Sequence, residues 1–119
     1  VKLDIRGEKK NDNEITLIFT ISNSGHVMSN DSFNKRVKTS VLNDVILDAV
    51  QMNESPDFKG GRLKVYYAEQ ISVAPPTIVF FVNDPKFAHF TYMRYLENRL
   101  REAFTFYNVP LKMILRRKK

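Results

Sequence analysis

One short run constrains this chain more than any other feature. Thr77-Ile78-Val79-Phe80-Phe81-Val82 is apolar at almost every position, with Pro75-Pro76 before it and Asp84-Pro85 after it. A strand with one face in water alternates apolar and polar residues. An unbroken run therefore suits a central strand covered on both faces. A buried helical segment has the same composition, and periodicity alone does not separate the two. In both cases a core must form around these residues. A chain of 119 residues can supply one such core and is too short for two ordinary domains.

The flanking segments predict what surrounds the run. Val41, Leu42, Val45, Ile46, Ala49 and Val50 recur at three and four, which predicts a helix capped by Thr39 or Ser40 and ending near Met52. Gly60-Gly61 reads as a turn, and Leu63, Val65 and Tyr67 then alternate as one face of a strand. Asp84-Pro85 pairs a capping carboxylate with a first-turn proline and predicts a second helix start. At about 100° per residue, Met93, Leu96, Leu100, Ala103 and Phe104 share one arc of that helix. Leu111, Met113 and Leu115 alternate in a last strand. The order is α-β-β-α-β, an α+β fold with helices on a small sheet. Ahead of it, Leu3 and Ile5, then Ile15, Leu17, Phe19 and Ile21, predict two strands around a polar turn at Gly7–Asn13. A polar linker at His26–Asn34 sets off residues 1–33 as a β-rich N-terminal extension from a domain at residues 34–119.

Charge is unevenly distributed. The net charge is +6, yet residues 1–57 carry seven Lys/Arg against nine Asp/Glu and residues 58–119 carry twelve against four. A basic half beside a slightly acidic one creates a directed field, for which nucleic acid is the commonest partner. Enzyme chemistry lacks its parts. The chain has no cysteine, which excludes disulfides and thiolate metal sites and fits a reducing compartment. His26 and His89 belong to no ligand spacing and have no visible nucleophile partner. No Gly-x-x-x-x-Gly-Lys-Ser/Thr loop and no Gly-x-Gly-x-x-Gly fingerprint occurs, so neither metal nor cofactor is expected. No apolar run reaches the ~20 residues of a bilayer span.

Several longer strings go beyond composition. They are Asn34-Lys35-Arg36-Val37 with Thr39-Ser40 and Leu42-Asn43, Gly61-Arg62-Leu63-Lys64-Val65-Tyr66-Tyr67-Ala68, and Phe80-Phe81-Val82-Asn83-Asp84-Pro85. They continue through His89-Phe90, Tyr95-Leu96-Glu97-Asn98-Arg99-Leu100-Arg101-Glu102 and Arg116-Arg117-Lys118. In this order they resemble the C-terminal KH-like domain of the bacterial double GTPases called Der or EngA. The resemblance covers about residues 34–119. It implies a KH-like fold, a cytoplasmic monomer, and a parent protein that assembles the large ribosomal subunit. GTP and magnesium would then belong to the parent's GTPase domains and not to this chain. Thr20-Ile21-Ser22-Asn23-Ser24-Gly25 is similar to the final strand and guanine-side loop of a GTPase domain, so residues 1–33 are expected to be an extension or a remnant of one. The chain departs from KH domains in general at one point. They clamp nucleic-acid backbone with a Gly-x-x-Gly loop, and the glycines here, Gly7, Gly25, Gly60 and Gly61, cannot form one. Asn83–His89 stands in its place.

Two functions follow. One is binding of ribosomal RNA or the large subunit through Lys59, Arg62, Lys64, Arg94, Arg99, Arg101 and the run Arg116-Arg117-Lys118-Lys119. Phosphate contacts by these cations are independent of sequence and sensitive to salt. Tyr66, Tyr67, Tyr92 and Tyr95 are candidates for base stacking or for the core. Arg94 and Arg101 each stand a helical turn from Glu97, where pairing competes with any partner. The other function is a module that docks on GTPase domains and relays their nucleotide state. It requires an exposed apolar patch.

Overall fold

The computed structural model describes residues 2–11, 13–22, 36–106 and 109–118. In chain order the elements are β1 (Lys2–Asn11), β2 (Glu14–Ser22), α1 (Thr39–Met52), β3 (Asp57–Phe58), β4 (Gly61–Arg62), β5 (Val65–Val73), β6 (Pro76–Val82), a 3-10 turn (Pro85–Phe87), α2 (Phe90–Phe104) and β7 (Leu111–Arg117). The expected α-β-β-α-β order is present as α1-β5-β6-α2-β7. The large sheet has the order β1-β2-β7-β6-β5. Among the described strands only β6 and β7 run parallel, and α2 makes the crossover that parallel neighbours need.

The apolar run resolves as a strand. Flanked by β5 and β7, β6 buries Thr77, Ile78, Val79, Phe80 and Val82. Ile78 and Phe80 point with Phe19, Met113 and Leu115 into one core, where Leu42, Ile46 and Ala49 of α1 meet Met93, Leu96 and Leu100 of α2. Both helices thus lie on one face of the sheet. Phe80 and Leu96 are fully buried, and burying each such side chain contributes about 1.5–3 kcal/mol.

Local signals were shifted where tertiary contacts took over. Neither Thr39 nor Ser40 caps α1; the cap position is Lys38, which makes no side-chain cap bond. Asp84 caps only the 3-10 turn, by accepting from the Lys86 N–H, and α2 starts later with His89 Nδ1 accepting from the Thr91 N–H. Ala103 is exposed and outside the buried arc. The turn expected at Gly7–Asn13 is much tighter, because β1 runs to Asn11 and pairs Gly7 with Leu17 and Lys9 with Ile15. An edge strand needs only its neighbour's backbone, so a polar stretch can extend it.

The N-terminal hairpin is continuous with the rest of the sheet. From Glu14↔Arg116 to Phe19↔Leu111, β2 pairs antiparallel with β7. Phe19 is 1% exposed within the same core. The linker expected at His26–Asn34 lies outside the described residues. At the opposite edge, the preceding segment covers β5. The Asn43 amide accepts from the Ala68 N–H at 2.7 Å and donates to its carbonyl at 2.9 Å. The Val37 N–H donates to Gln70 Oε1 at 2.6 Å, and Arg36 donates to the Gln70 carbonyl at 3.3 Å. The Arg36-Val37 and Leu42-Asn43 strings therefore seal a sheet edge, as exposed edges require.

Candidate nucleic-acid interface

The parallel register of β6 and β7 assembles the basic cluster. It sets Phe81 beside Arg116 and Val82 beside Arg117, and the Lys118 N–H donates to the Val82 carbonyl at 2.8 Å. On the other side of β6, Asn83 acts as a clip. Its N–H donates to the Lys64 carbonyl at 3.1 Å, while its side chain accepts from the Lys64 N–H and donates to the Arg62 carbonyl, both at 2.9 Å. Arg62, Lys64, Arg116, Arg117 and Lys118 thus meet at one end of the sheet. The residue that sequence reasoning missed is Asn83, although it stands inside the Phe80–Pro85 string. Asparagine's combined donor and acceptor was the available signal.

The cations have acidic neighbours that sequence proximity does not reveal. Arg116 lies 3.2 Å from Glu14, and Arg117 lies 4.0 Å from Asp84. Arg62 meets Glu54 at 3.2 Å and Asp57 at 3.5 Å. Each guanidinium stays about half exposed, and pairs of this kind contribute about 0–1 kcal/mol. A phosphate can therefore compete for them. Lys118 forms no ion pair among the described residues. Its ammonium lies 5.1 Å from the Tyr66 ring centroid and 5.7 Å from that of Tyr67. The expected phase of β5 changes here. A register shift between Val65 and Tyr67 breaks the alternation, so consecutive Tyr66 and Tyr67 are both exposed, at 51% and 42%.

The other candidates are scattered. Lys59 sits with Gly60 in the two-residue turn between β3 and β4, both at positive φ (54° and 85°), and its ammonium lies 5.2 Å from the Phe58 ring. Gly61 serves a different need: a Cβ there would collide with the Phe87 ring. On α2, Arg99 pairs with Asp48 of α1 at 3.4 Å and with Glu102 at 3.8 Å. Arg94 has no ion pair among the described residues. Lys119 lies outside them.

Arg101 must be withdrawn from the interface. It is 5% exposed, and all of its described bonds point inward. Nε donates to Glu97 Oε2 at 2.7 Å, Nη1 to the carbonyls of Phe106 (2.7 Å) and Val109 (2.8 Å), and Nη2 to that of Phe19 (3.0 Å). A buried charge persists only when paired and hydrogen-bonded. The same geometry answers the competition around Glu97, which binds Arg101 and leaves Arg94 without it.

Tyr92 and Tyr95 are likewise structural. Their hydroxyls donate to the carbonyls of Asn53 (2.8 Å) and Ala49 (2.7 Å) and dock α2 onto the last turn of α1. Burial pushes the Tyr92 hydroxyl up to about 12, with Tyr95 and Glu54 adding to the effect. Among the described residues, no group of three or more His, Asp or Glu side chains gathers as a metal site, and no helix is long and apolar enough to cross a membrane.

Comparison with known proteins agrees with this architecture. The sequence model for the KH-domain-like C-terminal region of EngA bacterial GTPases matches residues 36–116. A GTPase Der from Oceanobacillus iheyensis is 53% identical over 91 residues, which cover 76% of this chain and 21% of that protein. A GTPase Der from Bacillus cytotoxicus is 57% identical over 86 residues, covering 72% and 20%. One from Listeria monocytogenes serotype 4a is 56% identical over 89 residues, covering 75% and 20%. The chain thus spans about a fifth of the length of these relatives, and the matched part is their KH-like region and not a GTPase domain. With the α-β-β-α-β core, the parallel β6–β7 pair and this match, the chain belongs to the family of KH-domain-like C-terminal domains of EngA bacterial GTPases.

Proposed function

We propose that this domain binds ribosomal RNA through phosphate contacts made by Lys64, Arg116, Arg117 and Lys118, with Arg62 beside them. The single observation that carries the reading is the convergence of these cations at one end of the sheet. Lys59 contributes from the β3–β4 turn, Arg94 and Arg99 from α2, and Lys119 follows Lys118 in sequence. The role is that of a non-catalytic domain in a cytoplasmic, monomeric large-subunit assembly factor. GTP and magnesium belong, in this reading, to the GTPase domains of the longer relatives.

The test is the salt dependence of RNA binding. Each neutralised phosphate changes the slope of log K against log salt by about −0.7 on single strands and −0.9 on B-DNA. Replacing Arg116, Arg117, Lys118 and Lys119 with alanine is expected to flatten the slope and weaken all RNA sequences alike. Arg94→Ala is the comparison from outside the cluster and is expected to do less. An unchanged slope and affinity in the fourfold variant would sink the phosphate reading.

A second reading has its own observation. Leu47 and Met52 of α1 are 58% and 67% exposed, and Leu47 lines a groove with Ile46, Val50, Val65 and Tyr66. This is the apolar exposure that docking on a parent's GTPase domains requires. Met52→Asp, away from both Tyr66 and Tyr67, would weaken such docking and leave RNA affinity unchanged.

A further inference from the structure

We propose that Tyr66, Tyr67 and Phe81 form a stacking site for unpaired RNA bases, so that the preferred partner is single-stranded RNA and not a duplex. The inference rests on the phosphate reading above and gives that site its substrate class. Base stacking on exposed aromatic rings is sequence-tolerant, because every base has a π face. A duplex keeps those faces covered by its own neighbours and offers mainly backbone.

Three observations point to a platform. First, the register shift after Val65 turns two consecutive tyrosines to solvent where alternation would hide one. Second, Tyr67 lies on Phe81 with centroids 4.4 Å apart and planes 19° apart, which holds its ring before any ligand arrives. Third, neither the Tyr66 nor the Tyr67 hydroxyl has a hydrogen-bond partner among the described residues, whereas Tyr92 and Tyr95 each anchor a backbone carbonyl. The exposed rings are thus not explained by a structural bond.

Charge complementarity specifies the occupant. The Lys118 ammonium lies between 5 and 6 Å from both tyrosine centroids, and Arg116 stands beside Phe81 across the β6–β7 register. Lysine's flexible stem lets the ammonium leave the ring face to a base while staying within reach of that nucleotide's phosphate. An apolar protein partner would gain nothing from these two cations.

The experiment uses the whole chain with labelled oligouridine of roughly 12 nucleotides, within the usual site sizes, and a duplex RNA of equal length. Tyr66→Ala and Tyr67→Ala are each expected to weaken single-strand binding about 5- to 150-fold. Duplex affinity and the salt slope should stay unchanged, and Tyr66→Phe and Tyr67→Phe should bind as the parent does. Because the sequence has no tryptophan, Tyr67→Trp gives a single reporter that keeps a ring against Phe81. Saturable quenching of its emission by oligouridine supports stacking. Equal losses on duplex and single strand, or no quenching at saturation, overturn it. If alanine at the cationic cluster flattens the salt slope while the tyrosine variants change nothing, stacking fails and the phosphate reading stands. If neither RNA binds at low salt, both fail.

Discussion

Replacing Arg101 with alanine should destabilise the domain by about 3–5 kcal/mol, the range for removing one partner of a buried ion pair. The guanidinium and the Glu97 carboxylate are 6% and 0% exposed, so loss of the cation leaves a buried carboxylate without its counter-charge. Three backbone carbonyls, those of Phe19, Phe106 and Val109, lose the guanidinium bond as well. An unsatisfied buried acceptor costs about 1–3 kcal/mol unless water reaches it. Against a typical total stability of about 5–15 kcal/mol, this change is large. Urea melts followed by far-UV circular dichroism would measure it. The double variant Arg101→Met with Glu97→Met should recover part of the loss, since the uncompensated charge is gone. It should not recover all of it, because the guanidinium bonds to the three carbonyls are still missing. Arg101→Lys should also be costly, as an ammonium cannot reproduce the planar fork that reaches Glu97 and three carbonyls together. At a temperature where Arg101→Lys stays folded, its RNA affinity should equal that of the parent. An alanine variant that loses less than about 1 kcal/mol, or a folded lysine variant with weakened RNA binding, would refute the placement of Arg101 as an internal clasp.

Other perturbations test other parts of the structure. Gly61→Ala should destabilise by about 1–3 kcal/mol, as overpacking does, because its methyl group must displace the Phe87 ring; an unchanged melting temperature would show that Phe87 moves freely. Tyr92 keeps its proton up to about pH 12 when folded, against an ordinary value of 10.0. The unfolded chain therefore gives up that proton first. The contribution is full below pH 10 and is lost as pH rises towards 12. Tyr92→Phe should remove this part of the alkaline loss, and parallel stability curves for the two proteins between pH 9 and 12 would contradict it.

What the sequence determined by itself was the framework. The β6 run, the helical recurrence of Leu42, Ile46 and Ala49, and the alternation of Leu111, Met113 and Leu115 are local patterns. Burial on one face selects them directly, and the structure places these residues in the core. The quoted strings led to the family because they contain the residues with exacting neighbours, such as Asn43 at the β5 edge and Gly61 under Phe87. The interface was legible only as an inventory of cations. Arg94 and Arg101 stand at equivalent helical distances from Glu97, so spacing could not choose between them. The carbonyls of Phe19, Phe106 and Val109 chose Arg101 and drew it inward. The C-terminal cations had no acidic neighbour in sequence, yet Arg116 meets Glu14 from the far end of the chain. Tyr66 and Tyr67 became neighbours on the surface through a register shift that no alternation pattern encodes. A side chain's backbone phase follows from its own neighbours along the chain. Its partner is set by which strands lie side by side, and only the assembled sheet decides that.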